Sequence, residues 1–152
     1  MKLKEFFLKQ LAYNDAMNKT MLGNLKELER PPLECIKLLS HIALAQSLWL
    51  ERMYGTPSIK TTWDTLDITS LEDKLRDNHK GWISFMNEVD EEGLNKTYTY
   101  TTTRGEVFEN SLYDILFHLI NHSTHHRAQI SKILRQHDIE PPVMDYIAYA
   151  RS

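Results

Sequence analysis

Apolar residues recur every three to four positions along four stretches of the chain, the spacing that gathers them on one face of an α-helix. In the first stretch, from about Lys4 to Leu28, the stripe is Phe7, Leu11, Met21, Leu22 and Leu25. Arg30-Pro31-Pro32 closes it, because proline lacks the amide N–H and restricts the residue before it. The same prolines suit the first turn of a second helix, about Leu33 to Tyr54, with Leu38, Ala45, Leu48 and Trp49 inward and Gly55-Thr56-Pro57 at its end. A loop over 58–67 leads to Ser70-Leu71-Glu72-Asp73, which reads as the capping box of a third helix. That helix runs to about Asp90 on Leu75, Trp82, Phe85, Met86 and Val89, and Gly81 weakens it without breaking it.

Between about 96 and 109 the pattern changes. Tyr98 through Thr103 favour extended backbone, Arg104-Gly105 offers a turn, and Val107-Phe108 returns, which predicts a short hairpin. Ser111-Leu112-Tyr113-Asp114 then caps a fourth helix reaching about His137. The tail from Pro141-Pro142 to Ser152 is expected to pack as a short turn or helix through Tyr146, Ile147 and Tyr149. The whole reads as all-α: a four-helix bundle with a short β-hairpin before the last long helix, in one domain over 1–152.

Polar residues interrupt the apolar faces at mid-length. The fourth helix, LYDILFHLINHSTHHRAQISKILRQHD, holds five of the seven histidines. On a helical wheel Ile115, Leu119, His122, His126, Ile130 and Ile133 share one stripe, with His122 and His126 at its centre. Their i, i+4 spacing sends both imidazoles off the same face, the geometry by which one helix gives two nitrogens to one metal ion. His118 and His122 form a competing pair of the same spacing; His118 and His125 lie on the flank, at the rim or behind the ligands. His41 shares a face with Leu38, Ala45 and Leu48, so it too points into the bundle. Asn14 and Asn18 sit on the first helix's apolar stripe, where a buried amide without partners costs about 1–3 kcal/mol. Three helices thus aim polar groups at one level of the interior, as bundles do when they build a metal site. A set of hydrogen-bonded structural histidines would show the same pattern. Arg127 falls well off the stripe and is expected in a surface pair, and His79 on the solvent side of helix three. Tyr13, Tyr146 and Tyr149 read as packing residues, and Asp15 as capping or surface.

Composition narrows the chemistry. The net charge of −3 and the lack of any Lys/Arg cluster argue against a general nucleic-acid binder. One cysteine, Cys35, rules out an internal disulfide and reads as a small core residue. Lys9 interrupts any N-terminal apolar run, and no stretch approaches the ~20 residues that span a bilayer, so the expected compartment is the cytoplasm. His122 is followed by Ser123 where a zinc peptidase's HExxH would carry glutamate.

The run Asn121-His122-Ser123-Thr124-His125-His126-Arg127-Ala128-Gln129 resembles the histidine-rich "NHxxHHRGQ" signature of the DinB family, with Ala128 for the usual glycine. Tyr13 through Asn18 resembles that family's N-terminal "YNxWAN" pattern. Leu39-Ser40-His41-Ile42 resembles its second-helix histidine segment, Arg104-Gly105 its hairpin, and Pro141-Pro142 through Asp145-Tyr146 its tail. The resemblance spans nearly the whole chain. It implies a bundle of DinB type with an unusual order of helix directions, a divalent ion on His41, His122 and His126, and a homodimer.

Three neutral imidazoles would leave an open coordination position and suit zinc, nickel, iron, copper or manganese. No carboxylate ligand is evident, which disfavours a di-iron site. Such an ion activates water or a thiol. The resemblance implies transfer of a low-molecular-weight thiol to a small electrophile, in stress response or detoxification, with Asn14, Asn18, His118 or His125 near the substrate. The alternatives are a metal-dependent hydrolase and a non-catalytic, stress-associated metal-binding protein.

Overall fold

A computed structural model describes residues 1–56 and 61–152. Four long helices, α1 (Leu3–Glu27), α2 (Leu33–Met53), α3 (Ile68–Glu88) and α4 (Leu112–Gln136), form the bundle, and a short α5 (Tyr146–Ala150) closes the chain. A 3-10 turn (Glu92–Asn95) and an antiparallel hairpin of β1 (Thr97–Thr101) and β2 (Val107–Ser111) connect α3 to α4. Tyr98 pairs with Asn110 and Tyr100 with Phe108. Gly105 turns the hairpin at φ +84°, a region that a residue with a Cβ rarely adopts.

The principal contacts are α2 with α4, α1 with α3, α2 with α3 and α1 with α4. The helices therefore run α1, α3, α2, α4 around the bundle, and the consecutive pair α1 and α2 lies across a diagonal. This places the middle of α2 directly against the middle of α4, where the histidines are. Two apolar clusters lie along the bundle. One gathers Met21, Leu25, Leu39, Ile42, Leu71, Ile130 and Leu134, and the other Phe7, Leu11, Trp82, Met86, Leu112, Leu116 and Leu119.

Most expected core positions are buried, Cys35 among them at 0% exposure. Trp49, Leu38 and Val89 are only half-buried. Several details differ from the sequence expectation. Helix α3 starts before Ser70: Asp67 is its cap, accepting from the Ser70 amide at 2.9 Å, so Ser70 is the third helical residue. Both contacts run to the Asp67 carboxylate, which accepts from the Ser70 amide and from the Ser70 hydroxyl at 2.6 Å, in place of the reciprocal box expected of Ser70 and Asp73. The tail packs through Tyr146 and Tyr149, whose rings lie 5.1 and 5.4 Å from Tyr13, whereas Ile147 is exposed. His79 is partly covered and lies 3.9 Å from Asp15, which also pairs with Lys19. Of the expected loop, 58–60 fall outside the described residues, as does Pro57.

Among the described residues no helix is long and apolar enough to cross a membrane.

Candidate metal centre

The buried face of α4 is rotated from the one that periodicity suggested. Leu112, Leu116, Leu119, Ser123, Arg127, Ile130 and Leu134 are buried along it. His126 is buried at 8% exposure, while His122 lies half-buried at the edge facing α2. The rotation matters because it turns both imidazoles toward His41 instead of into the apolar centre.

The three rings converge. Among the described residues His41, His122 and His126 form the one group of metal-capable side chains, each offering a nitrogen within 4.8 Å of the others. Nε2 of His41 and Nε2 of His122 are 3.1 Å apart. Ring centroids are separated by 4.9 Å for His41 and His122, 4.7 Å for His41 and His126, and 4.5 Å for His122 and His126. An ion about 2.0–2.1 Å from each of several tetrahedrally disposed nitrogens needs them roughly 3.3 Å apart, so the closest pair already has that spacing.

Two of the rings are oriented from behind. His41 Nδ1 lies 2.7 Å from the Thr62 carbonyl, which can only accept, so Nδ1 carries the proton and Nε2 presents a lone pair. His126 Nδ1 lies 2.7 Å from Gln129 Oε1, an arrangement that fixes the same tautomer. Such partners behind ligating histidines hold ring orientation and raise basicity toward an ion. Trp63 lies flat on His41, with centroids 3.6 Å apart and planes 6° from parallel, and covers one side of the cluster.

Every ring of the cluster is held neutral. Burial pushes the His122 pKa down to about 3, with the neighbouring His126 and His41 adding to the effect. Burial also lowers His41 against the opposing pull of the Thr62 carbonyl, and lowers His126 against that of Gln129. Metal ligation requires deprotonated imidazoles, and these three are already neutral. The set holds no carboxylate among the described residues, so the donors fit a borderline metal, not calcium or magnesium. The three histidines could hold one metal ion.

Of the other expected site residues, His118 and His125 flank the cluster, and Asn14 and Asn18 face Arg127. His118 is exposed, its ring 5.5 Å from both His122 and Trp49, and burial and the Arg52 charge lower its pKa. His125 is exposed with its ring 5.0 Å from that of His126. Asn14 and Asn18 face Arg127: its Nη1 donates to their Oδ1 atoms at 2.6 and 2.7 Å, and Nη2 donates to Thr124 Oγ1 at 3.2 Å. Arg127 is 1% exposed, not in a surface pair. The two amides solve each other's problem with it: a buried guanidinium needs acceptors, and buried amide oxygens need a donor. Gln46 of α2 donates to Ser123 Oγ at 3.3 Å beside this network.

The sequence reading missed Thr62, Trp63 and Gln129. Gln129 had a signal, three residues after His126 on the same helix. Thr62 and Trp63 had none, since a loop has no periodicity to aim its side chains.

A diagonal helical bundle with a three-imidazole cluster between its second and fourth helices defines the class. The sequence pattern of the DinB family matches residues 10–152, and the chain belongs to that family. It is 25% identical to Protein DinB of Bacillus subtilis (strain 168), an alignment covering 97% of this chain and 95% of that one. Its fold is similar to the crystal structure of a DinB-like protein from Bacillus cereus ATCC 10987, with a TM-score of 0.62, 18% identity, and coverage of 91% and 95%.

Proposed function

We propose that this protein is a divalent-metal-dependent enzyme that transfers a low-molecular-weight thiol to a small electrophile, with His41, His122 and His126 as the metal ligands. The observation that carries this reading is the convergence of three neutral imidazoles, two of them held in the ligating tautomer by Thr62 and Gln129. A bound divalent ion would supply Lewis acidity, lowering the pKa of a thiol so that the nucleophilic thiolate is available near neutral pH. The protein's own part is to keep the rings deprotonated by burial, fix their orientation from behind, and shield one side with the Trp63 indole. Among the described residues no carboxylate stands in the cluster as a general base, which favours a nucleophile of low intrinsic pKa, such as a thiol, over water. The proposal also takes the working state to be a cytoplasmic homodimer acting in stress response.

The test is elemental analysis of purified protein followed by metal titration of the wild type, His122→Ala and His126→Ala. One ion per chain is expected in the wild type, with affinity reduced on the order of a hundredfold or more in each variant while circular dichroism is unchanged. Metal-loaded protein is then screened with several thiols against electrophiles such as a monohalobimane. Turnover lost in both variants supports the assignment. Binding of one ion without turnover on any thiol would leave a non-catalytic metal protein, and no stoichiometric ion would end the reading altogether.

A further inference from the structure

A groove of about 470 Å³ opens beside the histidine cluster, between α2 and α4, and falls within the size range of small-molecule sites. Its lining includes Lys37 and Leu38 from α2, Trp63 from the loop, and Gln129, Lys132 and Ile133 from α4. Two of these residues also touch the cluster: Trp63 stacks on His41, and Gln129 holds His126. The groove and the cluster therefore share walls, and a molecule lying in one has an end near the other.

The lining has two distinct parts. Leu38 and Ile133 are half-buried and apolar, and the Trp63 indole, 49% exposed, still has surface to offer beyond the face given to His41. Lys37 and Lys132 stand exposed on opposite helices, and among the described residues neither ammonium is ion-paired. Against these two cations the lining carries one carboxylate, Glu34. In a protein of net charge −3, two cations unpaired among the described residues thus line one groove together with an apolar strip, next to the candidate reaction centre. Unpaired, fully hydrated lysines contribute little to the fold, whereas at the mouth of a groove they select and attract anions.

We propose that this groove is the substrate subsite and that it takes a small carboxylate with an apolar chain or ring. The carboxylate lies between Lys37 and Lys132, and the apolar part lies on Leu38, Ile133 and Trp63. Its role as a subsite rests on the histidine cluster being the reaction centre, but its ligand preference can be measured without any metal.

The experiment uses the full chain stripped of metal with a chelator, so that a carboxylate cannot bind by coordination. It is titrated with 4-phenylbutyrate and with its neutral counterpart, 4-phenyl-1-butanol, by calorimetry and by amide chemical shifts. At low salt the carboxylate is expected to bind about tenfold more tightly than the alcohol, with the preference shrinking as salt rises. Shifts should centre on 34–38, 63 and 129–133. Joint Lys37→Gln and Lys132→Gln substitution should bring the two affinities together, Glu34→Gln should tighten the carboxylate by a few-fold, and Trp63→Ala should weaken both ligands alike. All four positions are surface-exposed, so the fold should persist, checked by circular dichroism. Equal affinities in the wild type, a preference that survives loss of both lysines, or shifts elsewhere on the bundle would overturn the assignment. A preference that behaves as described in a protein binding no metal would uphold the groove's chemistry and remove only the reaction centre beside it.

Discussion

Replacing Arg127 with methionine tests whether the polar centre of the bundle is a balanced unit. Methionine retains much of the arginine stem's packing, so the change removes mainly the guanidinium. Asn14 Oδ1 and Asn18 Oδ1 lose donors at 2.6 and 2.7 Å, in a region where both residues are under 5% exposed. A buried acceptor left without a donor costs about 1–3 kcal/mol, so the two together cost about 2–6 kcal/mol. Against this stands relief from burying an arginine whose partners are neutral, a desolvation penalty of a few kcal/mol. With that relief near ~2 kcal/mol against a mid-range cost near ~4 kcal/mol, the expected net loss is about 2 kcal/mol. For a chain of this length that is a fall of roughly 4–8 °C in Tm. The triple variant Asn14→Leu, Asn18→Leu, Arg127→Met removes donor and acceptors together and should return to within about 1 kcal/mol of the wild type. Urea unfolding of metal-free protein at pH 7.5, followed by far-ultraviolet circular dichroism, measures all three without linkage to metal binding. A single variant within about 0.5 kcal/mol of the wild type would show that the network carries no weight. A triple variant as unstable as the single one would show that packing, not hydrogen bonding, was lost.

The pH dependence of the metal-free protein follows from His122. Its pKa is pushed down to about 3 in the fold against about 6.5 in the unfolded chain, so between these values the unfolded state binds more protons and stability is lost as the pH is lowered. The urea midpoint should hold above pH 7 and drop steadily from about 6.5 toward 3, less steeply in His122→Ala; a midpoint that rises on acidification contradicts the sign. Burial and then the Glu34 charge raise the Cys35 thiol to about 11, and the residue is 0% exposed. Iodoacetamide at pH 8 should therefore alkylate the folded protein on the order of a hundredfold more slowly than the urea-unfolded chain, and equal rates would place the thiol at the surface. Gly105→Ala adds a Cβ that meets nothing within 4 Å, so any effect is backbone strain at φ +84°. About 1 kcal/mol of local destabilisation is expected, seen as faster amide exchange in the hairpin with the helices unaffected, and unchanged exchange there would rule out the strain.

The sequence alone determined the number, type and order of the four long helices and the hairpin between the third and the fourth. A long helix repeats its apolar face five or six times, so one misplaced residue does not alter the pattern, and the prolines at 31 and 32 and Gly105 mark chain reversals for reasons of backbone sterics. It also narrowed the candidate ligands: local geometry pairs His122 with His126 or with His118 and turns His41 inward, and the family resemblance implied His41, His122 and His126. Tertiary structure decided how far α4 turns about its axis. The helical wheel puts Arg127 off the apolar stripe, as a surface group, and only the amides at 14 and 18 on a facing helix make its burial tolerable. That rotation carried His122 from the centre of the stripe to the edge that meets α2. The diagonal placement of α1 and α2 likewise brought His41 across to His122, and brought Thr62 and Trp63 down onto the His41 ring. These contacts join residues distant in the chain, and nothing periodic in either partner announces the other.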